Sequence, residues 1–343
     1  MIPITDLEFG WFTVFVILLT GYAILDGFDL GVGMLHLFAR KDEERRLMLN
    51  SIGPVWDGNE VWFVTAGGAL FAGFPEIYAT MLSAFYFPVM LLLTGLIFRA
   101  VAIEFRSKQP MAWWRWSWDC VFTFASFLIA FILGMTIGNL VNGIYLDSHK
   151  EFIGSLADLL NPYAILVGFF TVSLFLMHGA IYILMKTSGE LHDKLRGYIG
   201  PCMIFFILTY LITTMATLIY MPHMVEAFRH RPVIFLLAIL NLIAIANIPR
   251  EIYHGRDWRA FLSSCLNIIC LLSLYAIGTY PNVIRSADQP DLLSLTIYNS
   301  ASSKLTLEIL FLMALIGVPL VVAYTTAVYY IFRGKVKLDT HSY

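Results

Sequence analysis

The stretch Gly21–Met34, GYAILDGFDLGVGM, constrains the fold most, because it places two carboxylates inside a run from Phe9 to Phe38 that has no other Asp, Glu, Lys or Arg. At about 1.5 Å per residue that run makes a helix of about 45 Å, longer than a bilayer core of about 30 Å. An ionised carboxylate in lipid costs at least about 2.5 kcal/mol, so Asp26 and Asp29 must face protein or water and are candidate functional groups.

The rest of the chain agrees with a membrane solvent. Its 343 residues are 59% hydrophobic and only 13% charged, and the mean hydropathy is +0.75, which together point to a polytopic all-α integral membrane protein. No Lys or Arg precedes Arg40, so the first run lacks the basic start of a cleaved signal peptide and is expected to remain as a helix. A net charge of −2 offers no basic stripe for nucleic acid. The four cysteines, Cys120, Cys202, Cys265 and Cys270, form no CxxC or CxxCH, which argues against zinc, c-type haem and iron–sulfur sites.

Apolar runs set against polar breaks give nine expected spans, at 9–38, 52–73, 77–103, 117–142, 162–186, 199–221, 233–249, 260–280 and 305–332. Sixteen Lys or Arg fall in the breaks after spans one, three, five and seven and in the tail, against five on the other side: Lys150, Arg229, Arg231, Arg285 and Lys304. Positive charge stays inside, so the N-terminus is expected outside and the C-terminus in the cytoplasm. Gly10–Gly21, GWFTVFVILLTG, and Gly168–Gly179, GFFTVSLFLMHG, share six of twelve positions. The match fits a parallel repeat of two four-helix units, 1–158 and 159–304, with a ninth helix and tail at 305–343. The run Trp113, Trp114, Trp116 and Trp118 around Arg115 reads as an interfacial belt.

With that topology Asp26 lies about 25 Å in from the outer end of its helix, in the inner third. Asp57 and Glu60 lie two turns into the next span, Arg99 and Glu104 near the inner end of the third, and Asp119 shortly after the start of the fourth. Asp26 with Asp29, and Asp57 with Glu60, are i, i+3 pairs, so each shares a helix face. Arg99 is the basic residue well inside a span and the natural partner. A carboxyl that Arg99 leaves unpaired in low dielectric can hold a proton near neutral pH, as a relay requires. The competing reading is polar packing glue or a buried ion-pair network. Gly27, Gly31 and Gly33 form spacings that admit a close neighbour. Of eight histidines only His178 is mid-span; an axial haem ligand normally has a partner at the same depth, so a hydrogen-bonded structural role is expected and no metal site is assigned.

These motifs also match a known family. GYAILDGFDLGVGML (21–35), ERRLMLNSIGPVWDGNEVWFVTAGGALFAGFPEIYA (44–79), LIFRAVAIEFRSK (96–108), ASSKLTLEIL (301–310) and the final HSY resemble subunit II of the cytochrome bd quinol oxidases. The resemblance implies a multi-pass subunit of a bacterial cytoplasmic-membrane terminal oxidase that oxidises membrane quinol and reduces dioxygen to water. It implies haem b and haem d held by a homologous partner, subunit I, whose nine-helix arrangement this chain mirrors. Support of that partner's assembly, a structural quinone in some members and small single-helix subunits follow from it too. Its proton path implicates Trp56, Asp57, Gly58 and Asn59 as the WDGN stretch and Asp26, Gly27, Phe28 and Asp29 as the DGFD stretch. Glu60 stands where relatives can carry Gln. Asp57 is expected to be the relay, set by Asp26, Asp29, Glu60, Asp119 and Arg99. Trp62, one turn on, reads as a core aromatic. A proton-coupled secondary transporter is the competing function, since buried acids and an internal repeat would serve it equally.

Overall fold

The computed structural model describes residues 6–230 and 232–338; Arg231, His341 and the terminal HSY lie outside the described residues. The chain is helical almost throughout. The long or linking helices are α1 Leu7–Leu35, α2 Asp42–Ile52, α3 Trp56–Gly73, α4 Pro75–Ala84, α5 Tyr86–Phe105, α6 Ala112–Asn142, α7 Pro162–Lys186, α8 Gly189–Tyr220, α9 Phe235–Tyr253, α10 Asp257–Thr279 and α11 Lys304–Ile331. A short antiparallel pair, β1 Asn282–Ile284 and β2 Leu295–Thr296, joins Asn282 to Thr296 and Ile284 to Leu295.

Eight helical segments among the described residues are long and apolar enough to cross a membrane: Leu7–Phe38, Tyr86–Lys108, Ala112–Asn142, Pro162–Lys186, Gly189–Tyr220, Pro232–Tyr253, Asp257–Thr279 and Lys304–Ile331. The expected second span, 52–73, falls short of that measure because Asp57, Asn59 and Glu60 crowd its first turn. It is also shorter than expected: Gly53 and Pro54 interrupt the chain, and the helix begins at Trp56. The expected third span, 77–103, is two helices meeting at Phe85. Pro88 has no N–H for the Ala84 carbonyl, which breaks the ladder there. Conversely, α6 and α8 begin before 117 and 199, since helix continues into polar sequence that hydropathy assigns to a loop.

Starts and stops follow local chemistry. Asp6 accepts from the Phe9 amide at 3.0 Å and Asn161 from the Ala164 amide at 2.9 Å, each satisfying a free N-terminal donor. Side-chain contacts sort the loops into two groups. At one end, Arg106 and Arg115 reach Asp42, Lys194 reaches Glu44, Lys41 reaches Glu190 and Lys335 reaches Asp257. At the other, Asp6 meets Tyr298, Thr80 meets the Lys150 carbonyl and the Ser302 amide meets the Gly73 carbonyl. The first group carries most of the Lys and Arg and is termed the basic end. Trp113 and Trp116 are exposed beside it, with the Arg45 guanidinium 5.1 Å from the Trp116 ring, as an interfacial belt requires.

The core is built on α1 and α7. Of the apolar window of α7, 72% is buried, against 6% for α11. The two central helices touch backbone to backbone. A Cβ on Gly31 would overlap the Phe175 carbonyl and the Gly179 Cα, and one on Gly179 would overlap Gly31. Small residues are used in membranes for such close approach.

Candidate functional site

Asp26 and Asp29 face inward from α1 and are 0% and 1% exposed. Their neighbours come from four other helices. Arg99 on α5, itself 1% exposed, donates from Nη1 to Asp26 Oδ1 at 2.6 Å and from Nη2 to Glu60 Oε2 at 2.8 Å. Asn59 on α3 donates from Nδ2 to Asp29 Oδ2 at 2.7 Å and to the Leu25 carbonyl at 3.2 Å, while its Oδ1 accepts from Tyr329 on α11 at 2.9 Å. Phe28 stacks on Tyr182 of α7, centroids 3.8 Å apart. One guanidinium thus faces three carboxyls, and the spare charge must be met by protons or by groups from outside the chain.

Asp29 Oδ1, Asp26 Oδ2, Arg99 Nε and Tyr22 Oη are buried without a protein hydrogen-bond partner. Native interiors leave few such groups, and water, ions or function commonly explain them.

Asp57 and Glu60 are placed differently. Glu60 is half-buried against Arg99, whereas Asp57 and Gly58 are exposed on the outer side of α3. Trp56 is half-buried against the core and Trp62 is buried over Gly21, where a Cβ would overlap its ring. Gly27 lies under the Phe175 ring. Asp119 does not join this layer. It is 0% exposed and accepts from His36 Nε2 at 2.5 Å, Arg106 Nε at 2.5 Å and Arg45 Nη1 at 2.9 Å. His36 follows Asp29 by seven residues, about 10 Å along α1. The single charged level expected from the sequence is thus two tiers, because Asp119 is drawn to the basic loops rather than to Arg99.

Tyr329 and Tyr22 have no sequence signal that singles them out, and neither do the His36 and Arg106 partners of Asp119, although Asp119 itself stands out as an acid in an apolar run. Tyr329 and Asn59 are 270 residues apart, and Arg45 and Arg106 read in the sequence only as topology markers. His178 keeps the structural role expected of it. Its Nε2 lies 2.9 Å from the Ile24 carbonyl and its Nδ1 2.7 Å from Ser264 Oγ. A carbonyl only accepts, so Nε2 carries the hydrogen and Nδ1 accepts from Ser264. Among the described residues no three His, Cys, Asp or Glu side chains group to hold a metal.

The family model described as "Cytochrome bd terminal oxidase subunit II" matches residues 7–332. Cytochrome bd-I ubiquinol oxidase subunit 2 of Escherichia coli K12 is 32% identical, with 100% of each chain covered. Cytochrome bd ubiquinol oxidase subunit 2 of Bacillus subtilis is 33% identical over 95% of this chain and 96% of that one. In three dimensions the chain resembles the bd oxidase of Geobacillus thermodenitrificans, with a TM-score of 0.79 at 15% identity over 96% of this chain and 99% of the other. The chain belongs to the subunit II family of cytochrome bd terminal oxidases, and is thereby a subunit of an oxidoreductase complex of the bacterial inner membrane.

Proposed function

We propose that this chain is the haem-free half of a quinol:dioxygen oxidoreductase, supporting assembly of the haem-bearing subunit I and supplying protons to it from the cytoplasmic side. One observation carries the reading: Asp57 opens outward on α3 while Glu60, one turn on, is bound to Arg99 and so to Asp26. An exposed carboxylate within a membrane-facing surface is expensive against lipid, so this strip faces protein or water. The exposed face of α3 continues through Val61, Val64 and Phe71, with Gly58, Thr65 and Gly68 beside them, and a Cβ on Gly58 or Gly68 would meet nothing within 4 Å in this chain. By contrast the outward strip of α8, with Ile204, Leu208, Leu211 and Met215, is purely apolar and suits lipid. The α3 strip is the surface for subunit I, and Asp57 is the relay group passing protons across it.

The spans are nine when α3 is counted, because it leads from the basic end to Gly73 beside Ser302 at the other. The basic end is cytoplasmic by the positive-inside rule, so the N-terminus is outside. The central crossing of α1 with α7 supports two units, 1–158 and 159–304, followed by 305–343. Haems b and d sit in subunit I. Quinol is oxidised at the outer side; protons consumed at the haems come from inside, so charge is separated without pumping. The buried acids and the internal repeat would also serve a free-standing transporter, but the likeness to oxidase subunits over the full chain favours the oxidase reading. The test is Asp57→Asn in the assembled oxidase: haem content is retained and oxygen consumption at saturating quinol falls by about a hundredfold, the lower end of what positioned proton-transfer groups contribute. Undiminished turnover removes Asp57 from the mechanism.

A further inference from the structure

We infer that Tyr329 on α11 is a positioning residue for Asp29, acting through Asn59 to fix which carboxyl oxygen accepts a hydrogen bond and which carries the proton. The inference rests on the proton-route reading above. Its basis is the orientation of the Asn59 amide. The Leu25 carbonyl can only accept, so the Asn59 atom 3.2 Å from it is Nδ2 and Oδ1 points the other way. That oxygen receives the Tyr329 hydroxyl at 2.9 Å, and the second hydrogen of Nδ2 goes to Asp29 Oδ2 at 2.7 Å. Every polar valence of the Asn59 side chain is then used except one lone pair. Asp29 Oδ1 is buried with no protein donor, so a proton taken up by this carboxyl resides there.

Take away the Tyr329 hydroxyl and the Asn59 carbonyl is buried and unpaired; the Leu25 carbonyl still sets which way the amide faces, but the amide is held less firmly and its hydrogen bond to Asp29 Oδ2 weakens. Elsewhere α11 is held by apolar packing, with Phe311 against Gly10 and beside Trp11, and Leu307 is its one fully buried residue. Just beyond Tyr329, Lys186 Nζ donates to the Phe332 carbonyl at 2.6 Å and the Val336 amide to the Lys186 carbonyl at 2.8 Å. Tyr329 is thus the point at which α11 reaches the charge cluster. Other ionisable groups around Asp29 are Tyr22 and Asp26 on α1, Glu60 on α3, Arg99 on α5, and His178 and Tyr182 on α7. His36, two turns along from Asp29, holds Asp119 of α6, which Arg45 of α2 also reaches, and α10 brings the non-titrating Phe261 and Ser264.

The experiment is infrared difference spectroscopy of the assembled oxidase across a pH titration, beside its oxygen-consumption pH profile. Asp29→Asn identifies the carboxyl band by erasing it. In Tyr329→Phe, with haem content intact, that band shifts in frequency and its pH midpoint moves by about half a unit or more, the scale of one hydrogen bond. Tyr330→Phe, at the exposed neighbour, leaves both where they were. A band and midpoint unmoved by Tyr329→Phe overturn the positioning role while the proton route stands. If Asp29→Asn erases no band, Asp29 holds no titrating proton, and both the inference and the inner acids' part in the route fall. Should Tyr329→Phe block assembly, fluorotyrosine at position 329 keeps the shape with a stronger donor; the band must still move, and a static band overturns the inference.

Discussion

One cation serves acids on two helices. Arg99 spans Asp26 and Glu60 with two nitrogens of one guanidinium, a geometry a single ammonium does not reproduce. Arg99→Leu leaves buried carboxylates unpaired at a cost of about 3–5 kcal/mol, and is expected to abolish recovery of assembled, haem-loaded oxidase. Arg99→Lys is expected to assemble with a lowered melting temperature in detergent. The acids and Arg99 were legible in the sequence because charge is rare in apolar runs. Tyr329 was not, since a tyrosine near a membrane surface is ordinary and its partner lies on a helix far away in sequence. Asp119 was legible as a buried acid but not by its company: spacing gives depth along one helix and says nothing of which loop bends over it.

At the element scale, the α1–α7 crossing depends on two glycines in mutual contact. Gly31→Val would drive a side chain into the Phe175 carbonyl and the Gly179 backbone, and is expected to cost about 1–3 kcal/mol or more, read as lost thermal stability. Gly68→Ala, which meets nothing within 4 Å in this chain, should leave the subunit's fold intact and instead weaken its hold on subunit I. The α2 linker is pinned by Glu44, which lies outside the spans. Burial works to raise its carboxyl, but Lys194 and the Lys41 and Arg40 amides outweigh that and hold it below the usual carboxylate range. A group held low contributes stability above its unfolded value of about 4.3, and loses it as pH falls through the folded value. Glu44→Gln is therefore expected to lower the melting temperature at neutral pH, with an effect that shrinks below about pH 4. Helix existence was legible from apolar length. The break at Phe85 and the late start at Trp56 were not drawn from the sequence, although Pro88, Gly53 and Pro54 were its available signals.

For the whole molecule, alternation of basic and non-basic breaks anticipated the two loop groups that the contacts define, because the cost of moving cations across lipid acts on whole segments regardless of packing detail. What charge alone could not provide was the division into an Arg99 tier and an Asp119 tier, or the outward turn of Asp57. That turn gives the central claim, a proton route that begins at the basic end and leaves the chain across α3. It is tested most directly by sided proton uptake in vesicles holding the assembled oxidase in one orientation. The protons of oxygen reduction are expected to come from the compartment facing the Arg40–Arg46 loop, and their uptake to slow with turnover in Asp57→Asn while the haem spectrum is unchanged. Uptake from the opposite compartment, or at an unaltered rate in Asp57→Asn, would contradict it.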